Sequence, residues 1–430
     1  MRNCNVKDYG AVGNGTTLDT RAIQAAIDAC AAQGGGQVVL EDGRFLCGFI
    51  QLKDGVELHI ERNAVLLGST DPNDFPEIET DFWLTEYGPR FNKRCFIYAE
   101  GCEDIAITGR GKIDCQGDAY VLPWPESPKV LWSYTRKPHP PTPDDDKIHP
   151  FIKRVRSFSP ARVVMFIGCK NVLVEDVTMK DQPAGWGYWI TDCCNVHFHR
   201  AQILSSVEYP NNDGIHINCS TDVTVSDCNI TCGDDALVVR AYSLPMGRNI
   251  PCEKVTITNC NLTSHSSGLR LGWYNDGVIR NCTFSNLNMT NTNTGVCIVL
   301  PSCSDEHRGS DMGNEATHIE NISFTNITMD HIYAYPIRIH VMENNLCDAI
   351  KNLYFDNIHA FGANTVMLQG RESCHLQNIY FSNCHFTQIP YSEIDNKFGK
   401  LFAERDTPVT APIFRWVDNL VLNNTVFNVQ

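Results

Sequence analysis

Residues 209–241 read YPNNDGIHINCSTDVTVSDCNITCGDDALVVRA. Within it the segment VTVSDCNI, from Val223, alternates apolar and polar residues with period two and breaks at Asp and Asn. That alternation marks a short, half-buried strand. The same kind of segment recurs along the chain: VLVEDVTM from Val172, VHFHRAQI from Val196, VTITNCNL from Val255 and VIRNCTF from Val278. It continues as ISFTNITM from Ile322, LYFDNIHA from Leu353, IYFSNCHF from Ile379 and LVLNNTVF from Leu420. The shorter steps are 24, 27, 23 and 26 residues; the longer ones, 32, 44, 31 and 41, fit that step plus an inserted loop.

No helical pattern of useful length separates these units. That excludes a helical or leucine-rich solenoid and argues against a doubly wound α/β sheet. Several short strands in each coil of about two dozen residues predict an all-β fold, a parallel β-helix, in which each coil covers its neighbour's apolar face. Such a repeat can hold all 430 residues, 1–430, as one domain. The segment TTLDTRAIQAAIDACAAQGGG, residues 16–36, is predicted as a capping helix. Asp19 or Thr20 starts it, Ile23 and Ile27 form its apolar side, and Gly34 to Gly36 follow it. With the strand QVVL it makes an N-terminal cap over residues 1–45. Residues 388–414 are expected to cover the last coils. Two insertions, 119–150 with Trp124, Trp132 and Tyr134, and 301–318, are expected to form rims that narrow a cleft.

The composition, 43% hydrophobic and 20% charged, is that of a globular chain. A net charge of −15 argues against nucleic acid and anionic membrane surfaces as partners. No apolar run reaches membrane-spanning length, and no apolar signal core opens the chain. The twenty cysteines lack metal-site CxxC spacing. Cys228, Cys260, Cys282 and Cys384 fall at one phase of the repeat and read as small buried thiols. So many thiols favour a reducing compartment, hence the cytoplasm; the alternative is a secreted or periplasmic protein whose signal has been removed. The sequence calls for no cofactor and no metal, and leaves the oligomeric state open.

Asp213 stands 21 and 22 residues before Asp234 and Asp235, and Gly214 and Gly233 adjoin them. Residues one coil apart lie roughly 4.8 Å apart on adjacent parallel strands. Asp213 and Asp234 are therefore expected on one face, with Asp235 beyond a bend at Gly233. Like charges near 5 Å repel by roughly 3 kcal/mol at an effective dielectric of 20, or about two pKa units. One carboxyl should hold its proton near neutrality. A protonated acid beside ionised ones is the equipment of glycosidic hydrolysis.

The motifs NNDGIHI, CGDDALVVR, SSGLRLG and YPIRIH resemble, in order and spacing, those of the polygalacturonase family, glycoside hydrolase family 28. The family pattern is N-[TS]-D, G-D-D, G-H-G and R-I-K. VKDYGAVGNGTTLDTRAIQAAIDAC and GRGKIDCQG extend the likeness over roughly residues 5–385. It implies a right-handed parallel β-helix and an inverting hydrolase without metal. By motif match Asp234 would be the general acid, Asp213 and Asp235 would activate water, and Asn211 would orient the site.

Three positions depart from the pattern. Ser267 stands where the family has its histidine, and His265 lies two residues earlier. His340 stands in place of the lysine of R-I-K, after Arg338. Arg270 occupies a position usually held by a small residue, and Arg240 follows the Asp pair. Arg240 and Arg270 either grip a substrate or pair with the acidic cluster. His216, Trp186, Trp189, Trp273 and Tyr274 are further candidates for a sugar pocket.

The sequence therefore predicts a glycosidase acting on a pectic oligosaccharide or polysaccharide, exo-acting, with galacturonide as first choice. The alternatives are a non-uronate glycosidase, a uronate lyase and a non-catalytic glycan-binding β-helix.

Overall fold

The computed structural model describes residues 3–80, 94–121, 160, 162–183, 185–302, 313–390 and 411–429. Most of the two expected rims, and residues 391–410 of the expected C-terminal cover, lie outside the described residues. The fold is a right-handed parallel β-helix. The chain forms two compact units. The first comprises the described residues up to His216 together with Thr221–Gly233; the second comprises Ile217–Ser220 and the described residues from Asp234 onward.

In the first unit three short strands make each coil. One column stacks Gly36–Leu40, Val56–Ile60, Glu103–Thr108, Lys170–Glu175, Cys194–His199 and Thr221–Ser226 in parallel register. A second stacks Gly43–Cys47, Ala64–Gly68, Lys112–Asp114, Thr178–Lys180, Gln202–Leu204 and Asn229–Cys232. A third stacks Ile50–Gln51, Cys95–Glu100, Arg162–Ile167 and Trp186–Thr191. Val172, Val196 and Val223 align as the repeat requires. The helix Thr20–Ala32 buries Ile23, Ala26, Ile27 and Cys30 and packs on Asn3–Asn5 and Gly36–Leu40. Asp19 precedes it and turns its carboxylate to the Val12 and Gly13 amides (2.7 and 3.0 Å) rather than to the helix.

In the second unit the strands are longer because they bend through the turns without a break. Cys252–Ser264, Val278–Leu300, Thr317–Val341 and Cys347–Gly362 pair in parallel, followed by Leu376–Ser382 and Val417–Asn423. The register corrects the repeat at one coil. Ile257 aligns with Phe284 and Cys282 with Ile322, so Cys282, not Val278, continues the series from Val255. Cys282 is accordingly not in phase with Cys260, which aligns with Leu287 and Ile327. The two readings differ by four residues across a turn at Asn281, which has φ 56°: Ile279 and Cys282 are buried, whereas Val278 and Arg280 are not.

Two devices hold the second unit's coils in register. Inside, Phe284, Phe324, Phe355 and Phe381 form a column with ring centroids 5.3, 4.7 and 4.6 Å apart. Outside, asparagines at the turns form ladders. Asn286 donates to Asn259, Asn326 to Asn286, and Asn357 to Asn326, at 3.1, 3.2 and 2.8 Å. Asn326 has φ of 56°, the left-handed region that asparagine tolerates better than most residues. The alternating strand pattern breaks at Asn because the chain must turn there. No helix among the described residues is long and apolar enough to cross a membrane.

Asn326→Ala loses both ladder bonds and puts at positive φ a residue that tolerates it less well than asparagine. The expected cost is roughly 2–3 kcal/mol, measured by urea unfolding. Asn326→Gly keeps the φ and should recover about half of that loss. Equal losses in both variants would remove the backbone share of this account.

Candidate active site

The sequence candidates divide between the two units. In the first, residues 205–213 form a loop tied down by Asn212, which is fully buried. Its Nδ2 donates to Ser205 Oγ and Ser206 O (3.2 and 2.9 Å), and its Oδ1 accepts from the Gly233 amide (2.7 Å). Gly233 permits this approach: a Cβ there would lie 2.2 Å from Tyr209 O and 2.8 Å from Asn212 Oδ1. Gly233 is the residue before Asp234 in sequence. Asn211, the expected orienting residue, sits at φ 52° in this loop.

Asp213 is buried, 4% exposed. Its backbone carbonyl accepts from Gln182 Nε2 (2.6 Å) and the Gly187 amide (2.8 Å). Its carboxylate Oδ2 lies 3.5 Å from His216 Nδ1. The His216 ring stacks on Trp186, with centroids 3.9 Å apart and planes 19° apart. The Arg162 guanidinium lies 3.6 Å from the Trp186 ring centroid. The ring of Trp189 is buried and meets Trp186 edge-on.

In the second unit Asp234 is partly exposed at its surface yet densely surrounded by protein. Its Oδ1 accepts from the Asp235 amide (3.0 Å), and its backbone carbonyl accepts from Ser264 Oγ (2.5 Å). Burial pushes its pKa up to about 6, and the neighbouring Asp235 charge adds to this; Arg270, Ser266 and the Asp235 amide pull the other way. Asp234 therefore keeps its proton into the mildly acidic range.

Asp235 is buried with both oxygens engaged. Oδ1 accepts from Ser266 Oγ (2.8 Å) and the Ser267 amide (3.0 Å), and Oδ2 accepts from Arg270 Nε. Ser267, where the family has histidine, is 1% exposed, and its Oγ accepts from Arg270 Nη2 (3.3 Å). His265 packs near Tyr333, with ring centroids 6.3 Å apart. The Arg270 guanidinium lies 4.3 Å from the Trp273 ring centroid, and Trp273 meets Tyr274 edge-on.

Arg240 has a carboxylate partner of its own. It is buried in a bidentate pair with Asp276, at 2.8 and 2.5 Å, and Asp276 is 0% exposed. Arg270 and Arg338 share one ladder row, with Cys297 between them. Arg270 Nη1, Arg338 Nε and His340 Nδ1 are buried donor-capable atoms with no hydrogen-bond partner. Burial and the Arg338 charge lower the His340 pKa, so its imidazole is neutral at pH 7. Sequence reasoning missed Asn212, Gln182 and Arg162. Asn212 adjoins a motif residue, whereas nothing in the sequence distinguishes the other two.

The raised Asp234 pKa has a consequence for stability. Its folded-state value of about 6 lies above its ordinary value of 3.8, so the native state binds the proton more tightly. Stability is then lost as pH rises from about 4 through 6 and is not regained at pH 7. Asp234→Asn removes this titration. Its stability relative to wild type should rise by on the order of 3 kcal/mol between pH 4 and pH 7, read from paired denaturation curves. A difference that stays flat across this range would refute the shift.

The family model described as "Glycosyl hydrolases family 28" matches residues 152–397, more than half of the chain. A model described as "Rhamnogalacturonase A/epimerase, pectate lyase-like" matches residues 3–59. The chain is 27% identical over 255 residues to a probable polygalacturonase of Vitis vinifera, covering 55% of this chain and 46% of that protein. It is 26% identical over 256 residues to an exo-poly-α-D-galacturonosidase of Dickeya chrysanthemi, covering 54% and 41%. The chain thus spans less than half the length of these two relatives. Among solved structures, an exopolygalacturonase from Thermotoga maritima superposes with a TM-score of 0.73 at 22% identity, over 99% of this chain and 92% of that one. A family 28 exopolygalacturonase from Yersinia enterocolitica gives 0.68 at 19% identity, over 97% and 78%. These two likenesses concern the fold, whereas the sequence match over residues 152–397 identifies the chain as a member of glycosyl hydrolases family 28.

Proposed function

We propose that the protein hydrolyses galacturonide bonds at the end of pectic oligosaccharides, with inversion and exo action. Protonated Asp234 donates its proton to the leaving glycosidic oxygen. Ionised Asp213 takes a proton from the water that attacks the anomeric carbon from the opposite face. Asp235, with both oxygens engaged, serves this scheme by raising the proton affinity of Asp234. That leaves water activation to Asp213, where the motif match alone had shared it between Asp213 and Asp235.

One observation carries the choice of sugar. Arg270 Nη1, Arg338 Nε and His340 Nδ1 are buried without an acceptor, and the two guanidinium groups share one ladder row. Buried donors left unpaired are costly, and a uronate carboxylate would satisfy them with charge-assisted bonds. The names of the Dickeya and Vitis relatives support the same substrate class and, for the Dickeya protein, exo action. Cys47, Cys115 and Cys252 are buried thiols whose pKa burial pushes up. They suit a reducing compartment, and we place the protein in the cytoplasm, acting on short imported oligosaccharides.

The test is incubation with oligogalacturonides of defined length, following the released sugar and its anomeric form by NMR. Galacturonic acid released from the non-reducing end, first in the inverted anomer, is the expected product. An unsaturated product would replace hydrolysis by lyase chemistry. Asp234→Asn should lower kcat by about 10²–10⁴-fold. Arg338→Met should raise KM for galacturonides by about tenfold or more while leaving neutral aryl galactosides unaffected. His340→Lys adds a cation that the neutral imidazole does not supply at pH 7, and should lower KM several-fold. Activity confined to neutral glycosides would overturn the sugar assignment.

A further inference from the structure

His216 follows Asp213 by three residues and is 3% exposed, too enclosed to be a broad sugar-stacking platform. Its surroundings are specific. Trp186 lies flat against its ring at 3.9 Å, and Arg162 lies 3.6 Å from the same indole centroid. Two groups that close to one ring centre must occupy opposite faces of the indole. The guanidinium also lies 4.9 Å from the Trp189 ring centroid. Arg162 and Trp186 are partners in the parallel ladder, so the backbone register places cation and indole together. The order is therefore guanidinium, indole, imidazole and carboxylate. Cation–π attraction holds the first pair and offset stacking holds the second.

The far end of this stack is the Asp213 carboxylate. Asp213 is anchored through its carbonyl by Gln182 and Gly187, which leaves the side-chain torsions to be fixed by what faces the carboxylate. His216 Nδ1 lies 3.5 Å from Oδ2.

We propose that His216 is a positioning residue for Asp213. The Arg162–Trp186–His216 stack presents Nδ1–H to the carboxylate and holds it aimed and ionised. The proposal rests on the reading of Asp213 as the base of a glycosidase. Stacking on the indole fixes the plane of the His216 ring, and Nδ1 lies in that plane, so packing sets the direction from which it faces Oδ2.

Two full-length variants separate the bond from the packing. His216→Phe keeps an aromatic ring on Trp186 and donates nothing. His216→Asn gives up the ring and returns an N–H near the Nδ1 position. H216F should lower kcat on galacturonides by about 10²-fold with KM within about twofold, and H216N should recover at least about a tenth of wild-type kcat. Wild-type kcat in H216F, or equal losses in both variants together with lowered thermal stability, would overturn the proposal. A second readout does not depend on turnover. In protein labelled with ¹³C-histidine, Asp213→Asn should lower the His216 titration midpoint by about one unit, because the neighbouring anion is gone while Arg162 remains. An unmoved midpoint would also overturn the proposal. If wild type cleaves no galacturonide but the midpoint still responds to Asp213, the glycosidase reading fails and the pairing stands.

Discussion

An inner strand of this fold pairs its backbone with the coil before and the coil after. Strands of three to six residues, such as Lys112–Asp114 and Lys170–Glu175, are too short to persist alone. They exist because neighbours on both sides satisfy their amide groups. Every other regularity follows from that dependence: apolar positions must repeat in register so that inward side chains meet, and turns must recur at matching heights. The phenylalanine column and the asparagine ladders are the inner and outer results of the same alignment.

This is why the fold was legible and why the reading slipped where it did. Period-two alternation with turns at Asn and Asp reports burial and bending directly. It placed Val172, Val196 and Val223 in one row. At the next coils a cysteine occupies a row that aliphatic residues hold elsewhere, and the series was continued from Val278 instead of Cys282. The turn at Asn281 resets the alternation, so Ile279 and Cys282 face inward where an unbroken period of two from Val278 would have put Val278 and Arg280. The register is decided by pairing partners, which lie outside any local window.

The site was legible to a lesser degree. The motif carboxylates could be found from sequence, but their partners could not. Arg240 and Arg270 both stood as candidates for substrate or for the acidic cluster. Burial committed Arg240 to Asp276, 36 residues away, and Arg270 to Asp235, 35 residues away. Neither separation marks its pair in advance, because side chains of this length reach across a coil or along it. The resemblance gave Asp234 and Asp235 different roles but could not name their surroundings: Asp234 remains partly exposed with a raised pKa, while Asp235 is enclosed by Ser266, Ser267 and Arg270.

The two asparagine ladders of the second unit keep identical offsets. The steps are 40 and 31 residues both from Asn286 to Asn326 to Asn357 and from Asn281 to Asn321 to Asn352. A lengthened coil thus spends none of its surplus between those two corners. The surplus segments, 122–159, 303–312 and 391–410, each adjoin in sequence a strand: Arg162–Ile167, the end of Val278–Leu300, and Ile413–Arg415. Trp186 pairs with the first of these strands, and Arg270 and Arg338 flank the second. Slack at the first two places therefore adjoins strands that pair with those holding the candidate binding groups. A lineage of such proteins can exchange whole loops beside its sugar-handling residues without disturbing the turns on which the stacking depends.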